Sequence, residues 1–119
     1  KSETRVLFIA YEHVIKRCEN ACKFHSQLVS NLLQMIALRA SQQANRIYVL
    51  SRNSIRKKIM TYLNSIAAEK QTKTVILPMS YTTFAEYLSV DRSAMMRELK
   101  NLADEGIIER DGKKLRILD

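Results

Sequence analysis

Thirty consecutive residues without a glycine or a proline, positions 21 to 50, constrain this chain more than any other feature. With neither breaker present, the stretch favours one continuous helix. Within it Cys22, Ser26, Val29, Leu33, Ile36, Ala40, Gln43, Ile47 and Leu50 follow alternating steps of four and three, and seven of these nine are apolar or cysteine. That spacing is a coiled-coil seam. A second stripe, Phe24, Leu28, Leu32 and Met35, thickens the apolar face over the first half only. A helix of this length spans about 45 Å, more than a small domain can cover. The same helix of a second copy is the simplest cover, with Cys22, Val29, Leu33, Ile36, Ala40, Gln43, Ile47 and Leu50 as the expected dimer interface; packing on a further domain is the alternative. Gln43 inside the seam would fix the register at some cost in stability.

The whole chain is 119 residues, about one domain. Apolar residues make up 46% and charged residues 27%, an ordinary globular composition. Two glycines and one proline favour long helices over a many-turned β fold. Twenty lysines and arginines against twelve acidic residues give a net charge of +8, which suits a polyanionic partner. Two cysteines are too few for a disulfide framework, as expected of a reducing cytoplasm. No apolar run approaches the roughly 18 residues of a membrane span, so no membrane association is expected. No signal segment opens the chain, which starts at Lys1 without a methionine, as a fragment would.

Ahead of the long helix, "TRVLFIA" at residues 4–10 reads as a short strand, "YEHVIKR" as one or two helical turns and "CEN" as a break. Behind it, "SRNS" gathers capping residues, so one helix stops and another starts there. The next helix carries Ile55, Ile59, Leu63 and Ile66 on one face and Arg56, Lys57 and Lys58 outside it. "AEKQTKT" reads as a polar loop, and "VILP" as a short strand ended by Pro78.

The last forty residues are the most informative. "SYTTFAEYL" opens on a hydroxyl cap at Ser80 and is expected to bury Phe84, Ala85 and Leu88. "SV" makes a tight turn, with Asp91 as the next cap. A helix from Arg92 to about Glu105 should bury Met95, Leu99 and Leu102, and Gly106 stands where a C-terminal cap belongs. "IIERDGKKLRIL" is then two strands around Asp-Gly, a strong hairpin signal. Helix, three-residue turn, helix and hairpin compose a winged helix-turn-helix. The fold expected is mainly α, with a dimerisation helix over residues 20–50 and the winged unit over 51–119.

The chemistry follows from the faces. With Met95, Leu99 and Leu102 inward, the outward face of the last helix holds Arg92, Ser93, Met96, Arg97 and Lys100. Arginine can grip guanine bidentately in the major groove, which admits a helix. Arg92, Ser93, Met96 and Arg97 are therefore the candidate base contacts. Ser80, Tyr81, Thr82 and Asp91 at the helix starts, Lys100, the wing lysines Lys113 and Lys114, and Arg56 are the candidate contacts to the DNA backbone. Cys18, Cys22 and His25 fall at helical steps but make a weak metal signal, and His13 reads as a surface histidine. No paired carboxylates, nucleophile motif or glycine-rich phosphate loop appears, so no enzymatic activity is expected.

The run "LPMSYTTFAEYLSVDRSAMMRELKNLADEGIIERDGKKLRILD" resembles the DNA-binding domain of CRP/FNR-type transcription regulators. The helix before it looks like that family's dimerisation helix, and "VLFIAYEHVIKRCENACKFHSQLVSNLLQMIA" is similar to the end of its β-roll sensor domain running into that helix, which implies that residues 1–19 are a remnant of that sensor domain. The resemblance implies a homodimer binding a near-palindromic double-stranded DNA site, under effector control, with RNA polymerase among its partners. By position, Arg92 and Arg97 match the family's base-reading arginines. Ser93 replaces a glutamate that reads cytosine, and Met96 a small residue. Ser51, Arg52, Asn53 and Ser54 match the hinge through which the effector reorients the DNA-binding domain. The effector itself stays open: a cyclic nucleotide, another small molecule, a redox centre or none. A dimeric protein-interaction scaffold or an RNA binder on the same fold is the alternative reading.

Overall fold

The computed structural model describes residues 3–16 and 23–118, and the chain divides into two compact units, Lys1–Gln42 and Gln43–Asp119. The first unit holds α1 (Tyr11–Ile15) and the larger part of α2 (Lys23–Leu50). The expected strand over residues 4–10 does not form, and Val6, Leu7 and Phe8 are exposed there. A strand needs a neighbour for its backbone groups. The three strands of the described residues all lie between Thr74 and Ile117 and pair with one another. The expected "CEN" break, with Cys18 and Cys22, lies outside the described residues. His25, at the start of α2, donates from Nε2 to the Val14 carbonyl at 2.9 Å. Among the described residues, no three potential metal ligands converge, and no helix is long and apolar enough to cross a membrane.

The long helix runs unbroken from Lys23 to Leu50. Its seam residues Leu33 and Ile36 are 62% and 64% exposed. Val29 is half-buried, Ala40 is exposed, and Cys22 falls outside the described residues.

The second unit begins inside α2 and continues through α3 (Ile55–Lys70), β1 (Thr74–Ile76), α4 (Tyr81–Leu88), α5 (Arg92–Asp104), β2 (Ile108–Asp111) and β3 (Lys114–Ile117). Its helices start on the side-chain caps legible in the sequence. Ser54 accepts from the Lys57 amide, Ser80 from Thr83 and Asp91 from Ala94, which satisfies donors that the first turn leaves unpaired. The three helices also stop alike. Gln71, Ser89 and Gly106 adopt left-handed backbone with φ of 51°, 52° and 72°. In each case the next amide bonds back to a carbonyl five residues earlier: Thr72 to Ala67, Val90 to Ala85, and Ile107 to Leu102. The polar loop expected from residue 68 is correspondingly shorter. Ala68, Glu69 and Lys70 favour helix and extend α3, while Thr74 already belongs to β1.

The sheet has the order β1-β3-β2 and is antiparallel throughout. Asp111 faces Lys114, so Gly112 and Lys113 form the two-residue loop, one position later than the Asp-Gly signal suggests. Of these two only Gly112 has a positive φ, 54°, the pattern of a type II′ hairpin turn. β1 adds a third strand to the wing, and the facing pair Val75 and Leu115 is wholly buried.

One core holds this unit together. Met95, Leu99 and Leu102 on α5, Phe84, Ala85 and Leu88 on α4, and Ile59 and Leu63 on α3 are all buried. The Tyr62 ring packs 4.8 Å from Phe84 and 5.4 Å from Tyr87. The end of α2 belongs to the same core: Val49 is fully buried, Ser65 donates to Asn45 at 2.9 Å, and the Arg46 guanidinium lies 5.3 Å over the Tyr87 ring. From Gln43 onward α2 thus belongs to the same compact unit as the winged elements.

Leu99 is fully buried where α5 meets the core. Leu99→Ala should destabilise the winged unit by about 2–5 kcal/mol, read as a lower urea midpoint at unchanged slope. A midpoint equal to the parent's would mean that α5 does not depend on this stripe.

Candidate nucleic-acid interface

Burial of one face of α5 determines what the other presents. With Met95, Leu99 and Leu102 inward, Arg92, Ser93, Arg97 and Lys100 are exposed on the opposite side, as the periodicity predicts. Met96 is half-buried and packs partly on the core. Among the described residues, no carboxylate forms an ion pair with Arg92, Arg97 or Lys100, or with the wing residues Lys113 and Lys114. Five cations thus stand without internal partners on the helix and hairpin that a winged helix-turn-helix directs at nucleic acid.

The polar side chains at the starts of α4 and α5 are committed to the fold. The Ser80 hydroxyl caps α4 and lies 2.9 Å from the Thr83 hydroxyl. Asp91 uses its carboxylate on the Ala94 amide at 2.8 Å. Thr82 is exposed. The Tyr81 hydroxyl donates to the Gly112 carbonyl, which places the first turn of α4 beside the wing tip. Burial pushes the Tyr81 hydroxyl above its ordinary pKa, while nearby Arg110 opposes that shift. Tyr81 is therefore brought together with Lys113 and Lys114.

Arg56 has a different placement. From the first turn of α3 its Nε donates to Glu98 at 2.6 Å, and its terminal nitrogens bond both oxygens of Glu105 at 2.6 and 2.7 Å. Its donors are thus engaged on α5. The Glu105 bonds, then those to Glu98, raise the arginine's pKa further above its ordinary value. In return, Arg56 holds the Glu105 carboxyl below the usual carboxylate range. The sign follows: this pairing supports the fold fully above the ordinary carboxylate pKa and is lost as pH falls through the depressed one. Two residues on, Lys58 donates to the Leu88 carbonyl at 3.1 Å, so two of the three cations in "RKK" work inside the fold. Neither partnership has a local sequence signature.

The expected hinge lies within the winged unit and is bonded to the end of α2. The Ser51 hydroxyl and Arg52 Nε both donate to the Tyr48 carbonyl, at 2.8 and 3.2 Å. The Arg52 guanidinium also stacks 4.0 Å from the Tyr48 ring centre. Asn53 is exposed, and Ser54 caps α3. Of the seam residues in this unit, Ile47 is 68% exposed, Gln43 is exposed and Leu50 is half-buried.

Known proteins resemble this chain in sequence or in fold. The probable transcriptional regulator flp of Lacticaseibacillus casei is 39% identical over 70 residues, covering 59% of this chain and 32% of that protein. The chain therefore spans about a third of that relative's length. The crystal structure of "a putative transcriptional regulator of the crp/fnr family" from Eubacterium rectale aligns with 76% of this chain and 42% of its own, at a TM-score of 0.52 and 24% identity. At that identity the likeness establishes the fold alone. The family model for the Crp-like helix-turn-helix domain matches residues 57–119, from early α3 through the wing. This match covers more than half of the residues and every element of the helix-turn-helix and its wing, so the chain belongs to the Crp-like helix-turn-helix family.

Proposed function

We propose that this chain is the dimerising and DNA-binding part of a transcription regulator that reads a near-palindromic site as a homodimer. The observation that carries the reading is the set of cations without internal partners on α5 and the wing tip: Arg92, Arg97, Lys100, Lys113 and Lys114. Such a set on a chain of +8 suits phosphate neutralisation and major-groove contact together. Family membership and the regulator names of its relatives support the same reading. In it, α5 lies in the major groove, Arg92 and Arg97 contact purine edges, and Ser93 and Met96 face the bases between them. Ser80, Thr82 and the lysines neighbour phosphates. The exposed seam of α2 pairs with its copy, which sets the two recognition helices roughly 34 Å apart on successive grooves. In the full-length protein an effector would control this arrangement, and RNA polymerase would be the partner served by it. The cytoplasm is the compartment that suits it.

Specific and general contacts separate by mutation. Arg97→Ala should cost about 1–3 kcal/mol on the preferred site and far less on unrelated DNA. An equal loss on both would remove Arg97 from base reading.

Replacing both Lys113 and Lys114 by alanine should weaken binding to every sequence alike and flatten the salt dependence by about one unit per lost phosphate contact. A salt slope matching the parent's would place the wing off the DNA.

For the dimer, Ile36→Asp puts an unpaired charge into the seam at a cost of several kcal/mol. Analytical ultracentrifugation should then show monomers at concentrations where the parent is dimeric. An unaltered dimer would refute the seam.

A further inference from the structure

Glu105 at the end of α5 and Arg56 at the start of α3 are each poorly placed for their own helix, and Glu98 within α5 lacks a cation one helical turn away. Glu105 caps the C-terminal end of α5, where the helix dipole disfavours negative charge. Arg56 stands in the first turn of α3, where the dipole disfavours positive charge. Glu98 has no lysine or arginine three or four residues away, and neither has Glu105. The usual helical ion pairing is therefore closed to both. Among the described residues, Arg56 is the one cation that pairs with them. The second Glu98 oxygen accepts from Asn101 at 3.3 Å, which holds that carboxylate in place.

The two gripped positions lie seven residues apart, about two turns or roughly 10 Å along α5. A guanidinium bonded at both points resists rotation of α5 about its axis as well as tilt, which a single contact could not do. Arg97 adjoins Glu98 in the chain, so the grip acts beside a base-facing side chain. At its other end, Arg56 follows the Ser54 cap by two residues.

We propose that Arg56 is a positioning residue for sequence recognition: by holding Glu98 and Glu105 it sets the angle at which α5 offers Arg92 and Arg97 to the bases. This builds on the DNA-binding reading above. In this role Arg56 acts through α5 and touches no phosphate, and removing either side of the grip has the same consequence. Geometry is lost, so discrimination falls.

The test compares the parent with Arg56→Gln and with the double variant Glu98→Gln, Glu105→Gln. Affinity is measured for the half-site pair that the parent selects from a random duplex library and for an unrelated duplex, at two salt concentrations. The readout is the ratio of specific to non-specific affinity, from which any loss of folded protein cancels. Circular dichroism checks that each variant is helical. Should Arg56→Gln fold poorly, the double variant still decides, because removing charge from the C-terminal end of α5 relieves the dipole. Positioning predicts that the ratio falls in both variants, by roughly tenfold, about one base pair's worth of discrimination. A pure charge effect predicts opposite signs, with Arg56→Gln weakening all binding, the double variant strengthening it and the ratio unmoved. That pattern would overturn the proposal. So would a salt slope reduced by about one in Arg56→Gln alone, the mark of a direct phosphate contact. A parent without any sequence preference would overturn the DNA-binding reading and this proposal together. A discriminating parent with equally discriminating variants would overturn only the proposal.

Discussion

Burial of the Met95, Leu99 and Leu102 stripe on α5 is the contact on which the rest depends. A helix of thirteen residues is marginal by itself in water, and it persists here because that stripe fills a core made by α3, α4 and the sheet. The same burial turns Arg92, Ser93, Arg97 and Lys100 outward. A hydrophobic event thus decides an electrostatic one, since no polar contact is needed to aim these side chains. Polar contacts refine the aim: Asp91 fixes where α5 begins, the left-handed Gly106 where it ends, and Arg56 grips its outer turns.

Two groups of basic residues contrast. Arg56 and Lys58 donate to groups on α5 and α4, Arg46 and Arg52 lie over tyrosine rings, and Arg116 pairs with Glu109 at 3.7 Å. Those of α5 and the wing tip have no such internal engagement among the described residues. The formal charge of +8 therefore does not say by itself which cations are free to meet a polyanion; the engagement of each side chain does. Guanidinium groups suit the internal work because their planar donors can serve two acceptors at once.

What the sequence made legible was local. Ser80, Asp91 and Gly106 announce the ends of α4 and α5 because capping acts within three or four residues. The inward stripe of α5 follows from its period, and Asp111-Gly112 announces the hairpin to within one position. Contacts between distant residues left no comparable trace. Arg56 meets Glu98 and Glu105 across more than forty positions, and Lys58 meets the Leu88 carbonyl across thirty. The pairing of β1 with β3 was hidden for the same reason, although "VILP" reads as a strand. Residues 4–10 show the converse: their β-branched, apolar composition suits a strand, yet strand formation is decided by a partner. Tyr81 was legible as a helix-opening residue but not as a tie to the wing, since nothing near it in sequence points to Gly112.

The shared use of α2 bears on how this protein can be taken apart. Its last eight residues supply Val49 to the winged core, an acceptor to Ser65 and a cation over Tyr87. A truncation at the apparent loop, beginning at Ser51, would leave an apolar hole and a bare tyrosine on what looks like a complete domain. Beginning at or before Gln43 keeps the core whole, at the expense of carrying two turns of helix whose outer face includes the exposed Ile47. The smallest piece that can be studied in isolation is thus defined by side chains arriving from the preceding helix, and the loop is a poor guide to where to cut.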